Sequence, residues 1–391
     1  MNRSNDLFPR IRYKAFKSEW TLNRIDYFFD ERTQRNSEGK LLSVTINDGI
    51  VDFESLKRKD NSSKDKSNYK VVCKNDIAYN SMRMWQGASG ESSYDGIVSP
   101  AYTVITPLNN SNSRFFSYSF KRIEMLQKFQ RSSQGLTSDT WNLKFNLLKQ
   151  IRIAAPSKDE QKKIATVLDK ISDLITVSER KIKQQRTLKS MLLQKVFSQT
   201  WRFKEFNDPW EQRKLGQLYK KSKCKNDLSY DSNQTISVAT MSWSSSNVDS
   251  SDAYMKTYNI FKKGDIAFEG HKSNEYKFGR FVLNNLGDGI VSHIFDVFNP
   301  ITPGDQNFWS YFIHNDQQMH QILAKSTTQA TMMNSLVARD FMKQSINVPK
   351  YEEQAQIGGL LKSIDNLIVA NEKKLDQLKQ LKKYLMQNMF V

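Results

Sequence analysis

The chain has 391 residues, 38% of them hydrophobic, and carries 59 Lys plus Arg against 41 Asp plus Glu, a formal net charge of +18. That length suffices for two or three domains with real cores, and so large a basic surplus favours a polyanionic partner, most commonly nucleic acid. Two distant cysteines, a polar start and no apolar run near the roughly 20 residues of a membrane span argue against a disulfide framework, a signal peptide and a membrane protein, so a soluble cytoplasmic protein is expected.

In chain order, "RYKAFKSEW" (Arg12–Trp20) leads into three stretches with the β-branched and aromatic content of short strands: "LLSVTI", "VVCKNDIAY" and "GIVSPAYTVI". A helical stretch, "SYSFKRIEMLQKFQ", and a polar loop, "SSQGLTSDTWNL", follow before "PSKDEQKKIATVLDKISDLI" begins at Pro156. Then the order repeats. "RFKEFNDPW" (Arg202–Trp210) shares Arg, Lys, Phe and Trp in register with the first entry. "SVATMSW", "GDIAFEG" and "GIVSHIFDVF" are again strand-like, "FWSYFIHNDQQMHQILA" is helical, and "STTQATMMNSL" precedes "PKYEEQAQIGGLLKSIDNLI" at Pro349. Pro156–Phe197 and Pro349–Phe390 align without gaps, with identities at Glu160/Glu353, Gln161/Gln354, Leu168/Leu361, Ile171/Ile364 and Phe197/Phe390. The chain is one unit written twice. Only intervening stretches diverge, such as "NSMRMWQGASGESSY" against "EGHKSNEYKFGRFVLNNLGD".

The repeated segment reads as a long helix. Ser157 and Glu160 suit a capped start. Apolar residues then recur in three–four steps: Ile164, Leu168, Ile171, Ile175 in the first copy, Ile357, Leu361, Ile364, Ile368 in the second. That is a coiled-coil seam, and two seams related by a pseudo-twofold axis pair antiparallel. The expected architecture is α+β: two pseudo-repeated globular domains at 1–156 and 198–349, separated by helices at 157–197 and 350–391 that form an antiparallel coiled coil.

No catalytic constellation emerges. "GDIAFEGHKS" (Gly264–Ser273) has five residues between its glycines, and His271 stands where a phosphate loop needs Lys. The four histidines show no metal-ligand spacing. The chain reads as a binder.

The tandem P-x-x-x-E-Q-x-x-I openings, the F-x-x-x-W entries (Phe16/Trp20, Phe206/Trp210) and the Ser/Thr-rich "STTQATMMNSL" together resemble the specificity subunit of type I restriction–modification enzymes, over almost the whole chain. The resemblance implies two target recognition domains, each reading half of a split site in double-stranded DNA, and a coiled coil that sets the spacer. It also implies a subunit that has no chemistry and binds no cofactor. Two methyltransferase subunits using S-adenosylmethionine, and motor–nuclease restriction subunits using ATP and Mg, would dock on it. Competing readings are a coiled-coil scaffold with incidental basic charge and a self-sufficient DNA-modifying enzyme with an unrecognised motif.

Residues that read bases are expected in the diverging loops and Ser/Thr-rich segments. In the first domain these are Arg83, Trp85, Gln86, Thr137 and Ser138; in the second, Lys272, Asn274, Arg280, Thr328, Gln329 and Thr331. Lys121, Arg122 and Lys263 are expected at phosphates. For the coiled coil, polar seam positions set Ser178 opposite Asn371, with Leu168 near Leu381 and Ile171 near Leu378. Register would fix the spacing of the reading heads, since one heptad is about 10 Å at about 1.5 Å per residue.

Overall fold

A computed structural model describes residues 7–56, 59, 62–138, 140–244, 251–328 and 333–391. The chain divides into two compact units, 1–179 with 373–391, and 180–372. Each therefore holds one globular domain, one half of the central helix (Lys158–Phe197) and one half of the terminal helix (Tyr351–Asn388). Among the described residues no helix is long and apolar enough to cross a membrane.

In the first unit a four-stranded antiparallel sheet has the spatial order Phe29–Glu31, Tyr102–Pro107, Ile77–Asn80, Ser89–Glu91. The second unit repeats it as Tyr219–Lys221, Val297–Pro300, Ile266–Glu269, Arg280–Leu283. Entry and exit of each domain are clasped by a further antiparallel pair, Thr21–Arg24 with Arg152–Ala155 and Glu211–Lys214 with Ser345–Val348. Composition does not mark these strands: "TLNR" and "EQRK" are polar and lie on a partly exposed edge. The expected helical stretches are each broken in two. Asn315 ends Gln306–His314 and caps Asp316–Ser326 by accepting from Gln318 N, the role for which its short amide suits a helix start.

The P-x-x-x-E-Q opening does more than start a helix. Glu160 is 1% exposed and takes both Nε and Nη2 of Arg12 at 2.7 Å. Glu353 does the same for Arg202 at 2.8 and 2.7 Å. Arg12 also donates to Ser18 O and Arg202 to Asp208 O. The expected reach of Glu160 back to its own helix start gives way to this planar, charge-assisted fork. Gln161 donates to Pro156 O and accepts from Asn112 N; Gln354 donates to Pro349 O and accepts from Asp305 N. So the Glu ties each helix to the domain entry, and the Gln ties it to the N-cap residue of a domain helix (Asn112 before Ser113–Ser119, Asp305 before Gln306–His314).

Aromatic residues dominate both cores. In the first unit Phe390, from the end of the chain, stacks on Phe115 at 5.0 Å and meets Trp20 edge-on. In the second its repeat-mate Phe197 meets Phe308 and Phe312 edge-on at 5.8 and 5.5 Å. Each domain core is thus completed by the far end of the other repeat's helix.

The seam residues Ile164, Leu168, Ile171, Ile182, Ile357, Leu361 and Ile368 are buried. Within each unit the helix segments run antiparallel. Arg186–Glu372 and Lys189–Asp365 cross in the second unit, and Glu179–Lys379, the repeat-mate of Arg186–Glu372, crosses in the first. The register differs from expectation. Asn371 donates to Gln185 Oε1 at 3.1 Å, one heptad along the central helix from Ser178, and also to Leu367 O. Leu168 lies in a cluster with Leu385, Met386, Met389 and Phe390, while Leu381 is 44% exposed. The expected Leu168–Leu381 and Ile171–Leu378 levels are therefore not the ones that form. Phe197 and Phe390, locked in domain cores, pin the helix ends, and Asn371 finds its amide partner in Gln185.

Candidate nucleic-acid interface

In the first domain the short 3-10 turn Met84–Gln86 follows the strand Ile77–Asn80, with Arg83 exposed before it. Arg83 Nη1 lies 3.4 Å from Gln86 Oε1, and Trp85 Nε1 donates to Met82 O. A second loop comes alongside: Leu143 N donates to Ser81 O at 2.8 Å, and Trp141 meets Trp85 edge-on at 5.2 Å. Thr137 and Ser138 sit exposed on that loop, which is closed by the Thr140 hydroxyl donating to Thr137 O. The structure therefore gathers Arg83, Trp85, Gln86, Thr137 and Ser138 on neighbouring loops. The Trp pair that joins them is half visible in the sequence: Trp85 falls in a stretch where the repeats diverge, whereas no pattern marks Trp141.

The second domain repeats the juxtaposition with different chemistry. Asn334 N donates to Gly270 O, and His271 bridges Met333. A Cβ on Gly270 would run into the Asn334 carbonyl, so glycine permits this approach. The loop beyond, 271–280, exposes Lys272 and Asn274. Thr328 lies on the facing strand pair, its hydroxyl 3.3 Å from Ser335 O. Gln329 and Thr331 lie outside the described residues. Asn142 and Asn334, at matching places, each keep a buried Oδ1 with no partner among the described residues.

Three assignments change. Arg280 is already committed: Nε donates to Glu269 at 2.7 Å, Nη2 to Ala239 O at 2.8 Å, and the guanidinium lies over the Tyr276 ring. It braces the loop, and a bidentate base contact would have to break that brace. Arg122 is only 10% exposed; it donates to the Val391 backbone oxygen and sits over Phe390, so it anchors the terminal helix instead of meeting phosphate. Lys121 donates to Ile46 O, and burial with nearby Lys382 lowers its pKa. Lys263 remains exposed, with its backbone N–H bound to Asp288.

Other surfaces match between the units. The entry segments 11–20 and 201–210 have the same pattern of exposure, residue for residue. The helices expose Leu174, Val177, Leu381 and Tyr384 in the first unit and Leu188, Met191, Leu367 and Val369 in the second. Leu174/Leu367, Leu188/Leu381 and Met191/Tyr384 are repeat-mates. Among the described residues no group of three or more His, Cys, Asp or Glu is placed to hold a metal ion.

Comparison with known proteins gives a consistent result. The family described as "Type I restriction modification DNA specificity domain" matches residues 9–185 and 207–380. The type I restriction enzyme MjaVIII specificity subunit of Methanocaldococcus jannaschii is 22% identical over 347 residues, 81% of this chain and 78% of that protein. The crystal structure of the S subunit of a type I restriction–modification system from M. genitalium superposes with a TM-score of 0.57 at 15% identity, covering 98% of this chain and 99% of that one. The HsdS subunit of Thermoanaerobacter tengcongensis gives 0.50 at 15% identity, covering 95% and 96%.

Proposed function

The chain belongs to the type I restriction modification DNA specificity family, and from that premise we propose that each of its domains reads one half of a bipartite site in double-stranded DNA. The coiled coil sets the interval between the halves. The observation that carries this reading is the repeated sheet and clasp, built twice, with sequence divergence concentrated in the segments 80–94 and 269–288, each a loop followed by an edge strand of the sheet. Two readers of one sequence would have no reason to differ there; two readers of different sequences must.

In this reading the chain itself is not an enzyme. Methyltransferase subunits supply S-adenosylmethionine chemistry, and restriction subunits supply ATP- and Mg-dependent cleavage. The matched entry segments and exposed helix leucines offer two equivalent docking surfaces, which supports two identical methyltransferase subunits per chain. Salt-dependent, sequence-preferring DNA binding by the reconstituted chain tests the first part. Mass measurement at saturating methyltransferase tests the second, with two-to-one expected; a one-to-one complex contradicts it.

A further inference from the structure

Position 362 breaks the repeat. Its mate, Asp169, takes the Arg114 guanidinium at 2.5 Å and the Tyr118 hydroxyl at 2.7 Å, so the first domain's junction with its helix is internally satisfied. In the second unit these jobs move by three residues. Asp365 accepts from Tyr311 and pairs with Lys189 at 2.6 Å, and Lys189 lies over the Tyr311 ring. That leaves Lys362 exposed and, among the described residues, without a carboxylate partner.

Lys362 lines a polar cleft of about 690 Å³ together with Lys263, Lys189, His314, Asn285 and Asp365. Three ammonium groups face one carboxylate. His314 Nε2 is buried with no partner among the described residues. Burial, then Arg280 and Lys189, hold that imidazole down to about 4, so it stays neutral near pH 7 and adds no charge to the cleft. The matching place in the first unit is occupied otherwise. There Lys121, the repeat-mate of His314, spends its ammonium on the Ile46 and Asn47 carbonyls.

We propose that this cleft, through Lys263 and Lys362, holds a backbone phosphate of the DNA bound by the second domain, and that the first domain has no equivalent contact. The proposal rests on the reading of this chain as a DNA reader and adds an asymmetry to it. Arg280 links the two places, because it braces the 271–280 loop and also bears on His314. A phosphate is the ligand such a cleft suits: two ammonium groups with no carboxylate of their own among the described residues, in a lining that is mostly polar and has Leu193 and Tyr311 as its less polar members.

The test uses the full chain with its methyltransferase subunits and a duplex carrying the mapped methylation site. Binding is measured against salt for the wild type and for Lys263→Ala/Lys362→Ala. Replacement at 362 spares the fold, since Lys362 is exposed on its helix and pairs with no carboxylate among the described residues. The slope of log K against log salt should fall in magnitude by about 0.9 for each phosphate the variant no longer neutralises, about 1 to 2 in all, while the methylated sequence stays the same. Neutral methylphosphonate linkages flanking the second half-site should reproduce the loss in the wild type and add little in the variant. An unchanged slope overturns the proposal. So does weakened methyltransferase association at constant slope, which would make the cleft a protein surface. Stabilisation by inorganic phosphate with an unchanged slope also overturns it, since the cleft would then hold free anions only. A wild-type complex that shows no sequence preference overturns the underlying reading as well.

Discussion

Single residues decide how firmly each helix is tied to its domain. Arg202 meets a Glu353 carboxylate that is almost wholly buried. Truncating Arg202 to Ala strands that charge, and a broken buried pair of this kind costs about 3–5 kcal/mol. Urea unfolding should show a loss of that order, and Glu353→Gln, which keeps acceptor and shape, should lose less. A loss below about 1 kcal/mol would mean that the fork is not structural. His314 gives a pH signature. Its native pKa is pushed down to about 4 from an ordinary 6.5, chiefly by burial. Between those values the unfolded chain takes up a proton that the native chain refuses, so stability is full above about pH 6.5 and falls as pH drops toward 4. From pH 7 to 5 the loss due to this group is about 2 kcal/mol, at ~1.36 kcal/mol per unit. His314→Asn should flatten that part of the pH profile; an identical profile in the variant would contradict the assignment.

At the scale of elements, the helix ends are anchored in the domain cores. Phe390 is 4% exposed, stacked on Phe115 and covered by Arg122. Phe390→Ala should cost about 3–5 kcal/mol and should speed amide exchange in the last turns, Leu385–Met389, before the sheet strands are affected. Unchanged exchange there would show that the seam alone holds the end. These anchors also explain what the sequence could and could not reveal. The long helices and their seam were legible because Ile164, Leu168 and Ile171 recur at helical spacing. Their register was not, because it is set by Phe197 and Phe390 entering domain cores and by the Asn371–Gln185 amide pair, none of which the heptad pattern encodes. The strands of each sheet were legible from Val, Ile and aromatic content. The clasp strands "TLNR" and "EQRK" were not, being polar edges defined only by their partners. Among site residues, the diverging loops could be located by comparing the repeats. Which side chains stay available could not: Arg280, Arg122 and Lys121 are each engaged by groups that no local pattern in the sequence points to.

For the whole molecule, duplication is the fact from which function follows. Matching sheets, clasps and fork-bound Arg–Glu pairs recur, while the segments brought together by Leu143–Ser81 and Asn334–Gly270 diverge in sequence, with Arg83 and Trp85 in one and Lys272 and Asn274 in the other. A duplicated frame with two different reading surfaces should recognise two unrelated half-sites at a fixed interval. The most direct measurement is a map of methylated adenines in DNA from cells carrying this chain with the methyltransferase subunits proposed for it, repeated after segment 80–94 alone is exchanged for that of a relative. The expected map is an asymmetric bipartite sequence with a constant gap, in which the exchange alters one half and leaves the other half and the gap intact. A continuous or palindromic site, or an exchange that alters both halves together, would contradict it.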